Sequence, residues 1–512
     1  MKKLQSKWWP TLVLGVALFL FWCYRYPFAL SYQEQFQLFL FDSDYLCERM
    51  SQPGGLAKYL GEFLTQFYNG VAIGAAILAV LFMLVQRLTW HLMRADSHYA
   101  LSFIPAVLLW YAMGDESVLL AYVVALVLTM LVTWTVAKRF TAWDNTKNLR
   151  KLVLMLVLVP IMYWLVGPMV VLLAAFLMPV IVVYALAVML VSAHYLPYPL
   201  SSVMLGLGYY RIPETLPYIL MVIPAVIWLV GNFARLFPKA GRWATIAQWL
   251  VLAGMSWLAM TLGFDAKKYE LIAYDYLVRI NDWNNIISKA EKQQPDLPMS
   301  VCALNLALGM TNQLGERATD FFQHGSEGLL PRFERNFNTA QMTGEVYFHL
   351  GLINTAQRFA FEAMESQPDN SKSTRVMKRL AETNLINGHY EVARKYLHLL
   401  QKTVFYRPWA IRTEALLGHE DQINAHPLYG RLRKALLPDD FLFSEREITK
   451  ICGQLFLHNP QNTMAMQYLV IAPLLDGDAQ NFMNYVGVVQ KHAGYYNPRC
   501  VREGMARIRR TP

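Results

Sequence analysis

Hydrophobic and polar positions alternate on two different scales along this chain. Up to Phe264, apolar residues run in blocks of the length a bilayer demands, about 20 residues per helical crossing. From Asp265 onward no block is that long. Apolar positions there recur with helical spacing, interrupted by polar breaks roughly every fifteen residues. The pattern predicts an all-α protein, with a polytopic transmembrane helix bundle over residues 1–264 and a soluble helical domain over residues 265–512.

The blocks pair up, and charge marks their ends. Trp8 to Leu30 reads as the first crossing, and Lys2, Lys3 and Lys7 before it place the N-terminus in the cytoplasm, where loop Lys and Arg collect. No small-residue cleavage site follows Phe28-Ala-Leu, so this block reads as an uncleaved span. Phe67 to Gln86 returns, with Arg87 and Arg94 at its inner end. Tyr99 to Met113 and Ser117 to Ala137 turn at Gly114-Asp115-Glu116; Lys138-Arg139, Lys147, Arg150 and Lys151 then give the strongest inside signal. Leu152 to Val166 and Met169 to Val191 turn at Gly167-Pro168.

Ser192 to Pro217 mixes apolar residues with four prolines. Such backbone is tolerated at membrane depth only when protein shields it or it lines a wet cavity. If Arg235, Lys239 and Arg242 are cytoplasmic, Leu216 to Ala234 must end inside and Pro199 to Tyr210 must cross. Trp243 to Phe264 then delivers the remainder outside. The expected total is about eight or nine crossings, with the C-terminal domain beyond the membrane.

One long polar interruption, residues 31–66, separates the first two crossings and lies on the outside. It carries Glu34, Asp42, Asp44, Glu48 and Glu62 against Arg49 and Lys58, in a chain of net charge +10. Cytoplasmic Lys and Arg account for much of that excess, so no nucleic-acid partner is implied. Cys23, Cys47, Cys302, Cys452 and Cys500 show no zinc-like or CxxC spacing; one bridge among the last three is open if they face an oxidising compartment.

In the second half, Gly351-x4-Ala356-x3-Ala360-x2-Ala363-x4-Pro368 recurs as Gly388-x4-Ala393-x3-Leu397-x2-Leu400, an offset of 388 − 351 = 37 residues. Small residues at these places match the second helix of a tetratricopeptide repeat, whose usual period is about 34 residues. Looser copies surround Asn281 to Pro298 and Gly477 to Phe482. Stacked repeats make an α-solenoid with a groove suited to a protein partner.

Glu34 to Phe41 (EQFQLFLF), the Pro53-Gly-Gly-Leu56 turn, Phe63-Leu-Thr-Gln-Phe67 and the repeat tail together resemble an uncharacterised family of multi-pass membrane proteins from Bacteroidetes. The resemblance covers most of the chain and brings no established activity. More distantly, the layout resembles C-type glycosyltransferases, which implies a Gram-negative inner-membrane enzyme drawing sugar from a polyprenyl-phosphate carrier. Such enzymes use an acid of the first outer loop as base or ligand to a divalent metal ion. This chain departs from them in lacking a DxD or Asp-Glu pair, and Asp42-Ser43-Asp44 is the nearest approach.

On that reading Asp42, Asp44 and Glu48 are the candidate catalytic acids and Arg211 the candidate phosphate ligand. Asp44 and Glu48 share a helix face at i,i+4, at the end of an apolar run suited to the membrane surface. The competing reading is simpler: Asp42 caps a helix, with Glu48 solvated or paired with Arg49. Arg211 has its own plainer reading, pairing with Glu214 or snorkelling to the interface. The Asp115-Glu116 turn and the Arg499 to Arg510 tail read as solvated, and His194-Tyr195 as a cytoplasmic boundary rather than part of a cavity. Two further functions compete with the enzyme, a membrane-anchored repeat scaffold for envelope assembly and a transporter. The transporter lacks the paired halves expected of that class.

Overall fold

The computed structural model describes residues 7–141, 148–205, 218–332, 334, 336–367, 371–438, 447–493 and 496–510. These residues form helices joined by turns and short 3-10 segments, and strand-like pairing among them is confined to a bridge between His324 and Ser326. Two compact units emerge, one of residues 1–266 and one built from residues 267–367 and 371–512.

In the first unit, five apolar helices are long enough to cross a membrane: Trp8–Arg25, Val71–Met93, Leu120–Arg139, Leu149–Leu177 and Arg242–Leu262. Ile181–Tyr195 and Ile219–Phe233 are apolar but shorter. Several boundaries differ from the hydrophobic pattern, each where the backbone departs from helical geometry. The first helix ends in a π-helical turn, Phe21–Arg25, and breaks at Tyr26 (φ −136°, ψ 52°) before a separate helix Pro27–Glu34. A proline at the head of a helix has no amide hydrogen to offer the preceding turn, so it starts a helix more readily than it continues one. The return helix begins at Val71 rather than Phe67, because Gln66–Asn69 is a 3-10 turn and Gly70 is extended. It runs on to Met93, which puts Arg87 inside the helix and not beyond its end.

Where one crossing was expected from Met169 to Val191, there are two helices, Val170–Leu177 and Ile181–Tyr195. Met178 between them is extended (φ −160°, ψ 94°), as the ring of the following Pro179 favours. The segment expected as the third crossing opens as a 3-10 segment, Asp96–Phe103, before the helix Ile104–Ala112. The expected crossing at Pro199 to Tyr210 begins with the helix Leu200–Leu205. The remainder of that stretch, with Arg211 and Glu214, lies outside the described residues, as do Lys2, Lys3 and Lys147.

Side-chain contacts tie both ends of this unit. At one end Tyr99 donates to the Lys7 carbonyl (2.6 Å), Thr11 to Gln86 (2.8 Å) and Gln86 to Ser102 (2.7 Å). His98 there meets the Pro238 carbonyl (3.0 Å) and Gln248 (2.9 Å). At the far end of the first helix, Phe264 stacks on Tyr26 with ring centroids 4.5 Å apart. Beside it the turn at Gly114 approaches Gly263 so closely that a Cβ on Gly114 would lie 1.7 Å from the Gly263 carbonyl oxygen.

In the second unit, Phe337–Leu350 packs on Ile353–Glu365, and Thr374–Ile386 packs on Tyr390–Gln401. Gly351 (φ +104°) and Gly388 (φ +79°) hold equivalent turns between the members of each pair. Ala356, Ala360 and Ala363 are buried, as are Ala393, Leu397 and Leu400 at the corresponding places. The helices Pro298–Met310 and Phe337–Leu350 are enclosed along most of their length, as is most of Thr463–Asp476. All five cysteines are free thiols, with Cys302, Cys452 and Cys500 buried.

Candidate functional site

The polar interruption 31–66 folds onto the first unit. Leu38, Phe39 and Leu40 are buried in the strip that follows Pro27–Glu34, and Phe39 packs against Tyr45, Tyr59 and Phe63. Asp42 is extended (φ −146°, ψ 140°) at the N-cap of the helix Ser43–Met50, but its side chain makes no capping hydrogen bond. A turn at Gly54 (φ +80°), which glycine adopts without steric cost, leads into the helix Gly55–Thr65. The Gly54 amide donates to the Trp164 carbonyl (2.9 Å) and the Trp164 indole to the Met50 carbonyl (2.8 Å), so the loop is clamped to the end of Asn148–Val166.

A buried polar cluster lies between the two loop helices. Tyr45 and Arg49, one turn apart, both reach Glu62 on Gly55–Thr65. The Tyr45 hydroxyl is 2.6 Å and Arg49 Nε 2.8 Å from Glu62 Oε2, and the Arg49 guanidinium also lies over the Tyr45 ring at 4.5 Å. The Tyr45 hydroxyl is also 2.7 Å from the Leu38 carbonyl, joining the apolar strip to the cluster. Burial, reinforced by the Glu62 charge, pushes the Tyr45 phenol well above its ordinary range. Burial disfavours the charged form of Arg49, but Glu62 and Tyr45 outweigh it and hold the guanidinium more firmly protonated than usual.

The three candidate acids stand apart from this cluster. Asp42 is half-buried, whereas Asp44 and Glu48 are exposed, and Glu48 meets only the solvent side of Arg49 at 3.3 Å. Arg211 lies outside the described residues, so its relation to them is not part of this geometry. Among the described residues no three His, Cys, Asp or Glu side chains come together as metal ligands. Two of the loop's acids are buried, Glu34 and Glu62, and it is Glu62 that the Tyr45 and Arg49 side chains meet. The i,i+4 spacing of Tyr45 and Arg49 was visible in sequence, but their partner sits on another helix, thirteen residues on from Arg49.

A second buried cluster lies in the second unit. Asp275 takes two bonds from Arg375 Nη1 (2.8 and 2.9 Å), and Arg375 Nη2 reaches Glu345 (3.1 Å). Arg379 bridges Glu345 (2.6 Å) and Glu382 (2.9 Å). The result is an alternating row of negative and positive groups across three helices. Burial alone would raise the Glu345 carboxyl, but Arg379 and Arg375 hold it down at about 2. His349, one turn from Glu345, is buried with neither ring nitrogen hydrogen-bonded, and burial lowers it to about 3 despite the nearby carboxylate. The spacings Arg375/Arg379 and Glu345/His349 are the sequence signal for this row. The first cluster pairs one carboxylate with one guanidinium, and in the second Lys378, 4.0 Å from Glu382, adds a third cation to the row's three carboxylates and two guanidiniums; such pairing is suited to fixing helices in register.

A family model matches residues 4–510, that of a family of unknown function, DUF6057. No curated protein and no solved structure matches the chain.

Proposed function

The chain belongs to DUF6057, and we propose that it is a multi-pass inner-membrane protein whose spans anchor a periplasmic helical repeat domain, a scaffold for a protein partner in envelope assembly. The observation that carries this reading is the pairing of charge in both units. Arg49 is committed to Glu62, and Arg375 and Arg379 to Asp275, Glu345 and Glu382. Groups so matched rigidify a structure but are poor acid–base catalysts, which need a free valence near the reacting atom. The tetratricopeptide-like character of the second unit rests on the 37-residue recurrence and on burial of the same small and apolar positions in both copies.

A second reading keeps one specific support. Asp42 stands half-buried at the head of the helix Ser43–Met50, with Asp44 and Glu48 exposed beside it. In that reading the protein resembles a C-type glycosyltransferase, Asp42 or Asp44 is the base that receives the acceptor proton, Glu48 assists, and Arg211 meets the polyprenyl phosphate of the donor.

The test is complementation of a deletion strain with Asp42→Asn and Asp44→Asn, with envelope glycan composition and protein level measured together. Asn matches Asp in size and neither side chain caps the helix, so folding is expected to survive while charge is lost. The scaffold reading expects full rescue. A loss of about a hundredfold in glycan product at wild-type protein level, the scale expected for a removed base, would hand the lead to the enzyme.

A further inference from the structure

Arg87 is a buried charge with no ion-pair partner among the described residues of the first unit. It lies in the helix Val71–Met93 and is only 8% exposed. Its guanidinium is sandwiched between two indoles, 3.9 Å from the Trp8 ring centroid and 4.4 Å from that of Trp90. Nη1 has no hydrogen-bond partner, and no ion pair among the described residues includes Arg87. Asp96 nearby is engaged by Lys7 (2.7 Å) and by the Trp90 indole (3.3 Å). The surroundings are otherwise cationic and aromatic: Lys7 lies 5.1 Å from the Trp90 ring, and Lys138 lies 5.6 Å from Trp134, on which His91 stacks.

Aromatic faces offset part of the cost of withdrawing a guanidinium from water, but they carry no full negative charge. Buried cations in proteins are otherwise paired or bound to an anion. The surface beside Arg87 indicates which anion. Trp8, Leu12, Val16 and Leu20 recur at i,i+4 spacing on one face of the first helix, and all are exposed, at 46%, 45%, 58% and 46%. This apolar stripe starts at the indole that covers Arg87 and runs along the helix. An anion with hydrocarbon chains would engage both features at once, its head on the guanidinium and its chains along the stripe.

We propose that Arg87, between Trp8 and Trp90, binds the phosphate of an anionic membrane phospholipid whose acyl chains lie along Trp8, Leu12, Val16 and Leu20. The inference rests on the reading that the first unit spans a membrane. Guanidinium suits this role better than ammonium, since it donates two parallel hydrogen bonds to phosphate while stacking on an aromatic face.

The experiment uses the purified full chain in neutral detergent, with lipid adducts counted by native mass spectrometry. Phosphatidylglycerol is expected to bind about tenfold more tightly than phosphatidylcholine, the scale of one charge-assisted contact. Arg87→Gln should abolish that preference, and inorganic phosphate at equal concentration should not displace the lipid. Equal binding of the two lipids, an unchanged preference in Arg87→Gln, or full displacement by inorganic phosphate would each overturn the proposal. If Arg87→Gln does not yield folded protein, Arg87→Lys keeps the charge and should still weaken phosphatidylglycerol binding severalfold; unchanged affinity there overturns the proposal equally. Carbonate extraction of cell membranes separates the two ideas. Release of the chain into the soluble fraction sinks the spanning reading, whereas a retained chain indifferent to lipid charge sinks only the Arg87 site.

Discussion

Arg49 Nε donates to Glu62 Oε2 across 2.8 Å, with the carboxylate side chain 3% exposed, and this pair joins Ser43–Met50 to Gly55–Thr65 behind the exposed acids of the same loop. Breaking one side of a buried pair leaves an uncompensated charge, which typically costs about 3 kcal/mol or more. Glu62→Gln is therefore expected to lower the thermal unfolding midpoint of the detergent-solubilised protein clearly. Replacing both partners, as Arg49→Met with Glu62→Leu, should cost less than Glu62→Gln alone. A double variant as damaged as the sum of its parts would mean the two side chains are not coupled.

The second unit should be sensitive to acid. His349 is lowered from its ordinary 6.5 to about 3, and Glu345 from 4.5 to about 2. In each case the unfolded chain takes up a proton that the folded chain refuses. Stability is then fully present above the unfolded value and is lost as pH falls. The loss runs from pH 6.5 towards 3 for His349 and from 4.5 towards 2 for Glu345. Each group contributes up to about 1.4 kcal/mol per pH unit inside its window. Melting curves of the full chain between pH 8 and 4 should show a fall beginning below 6.5, and His349→Gln should flatten the upper part of it. A flat profile in the wild type would mean that His349 accepts a proton in the folded state.

Much of the fold was legible because apolar block length and helical periodicity are local properties. The five long helices and the paired turns at Gly351 and Gly388 follow from them. The misjudged boundaries have local causes that hydropathy does not weigh. Pro179 is flanked by apolar residues, so a pattern of hydrophobicity passes through Met178 although the backbone there is extended. Gly70 likewise delays the start of the return helix, which at its other end runs on to Met93 and so encloses Arg87. The site was less legible, because burial sorts acids that look equal in sequence. Glu62 and Glu48 are both loop glutamates near Arg49, yet side-chain exposures of 3% and 65% give them opposite roles.

Gly114→Ala tests how the first unit closes. The added Cβ would meet the Gly263 carbonyl oxygen at 1.7 Å and its carbon at 2.6 Å, both backbone atoms that no rotamer change can move aside. Overpacking of this kind costs about 3 kcal/mol when the neighbours cannot yield. The variant should emerge from size-exclusion chromatography in detergent with a reduced folded fraction, while Gly254→Ala, whose Cβ would meet nothing within 4 Å, should behave as wild type. Equal behaviour of the two would mean that the turn and the end of Arg242–Leu262 are apart in the detergent-solubilised protein.

Contacts gather Lys7, Arg87 and Lys138 around Trp8, Trp90 and Trp134 at one end of the unit, and His98 ties the start of Arg242–Leu262 to that same end. Gly54, Gly114 and Phe264 belong to the other end, which holds the acidic loop. Lys and Arg mark the cytoplasmic side, so the chain should leave the membrane at Phe264 on the opposite face. Alkaline phosphatase fused after Pro512 is expected to be active, and a cytoplasmic fluorescent reporter at the same place to be dark. The reverse result would turn the protein over, place the second unit in the cytoplasm, and remove the periplasmic scaffold and the lipid-linked glycosyl transfer together, since both need the acidic loop and the repeats outside.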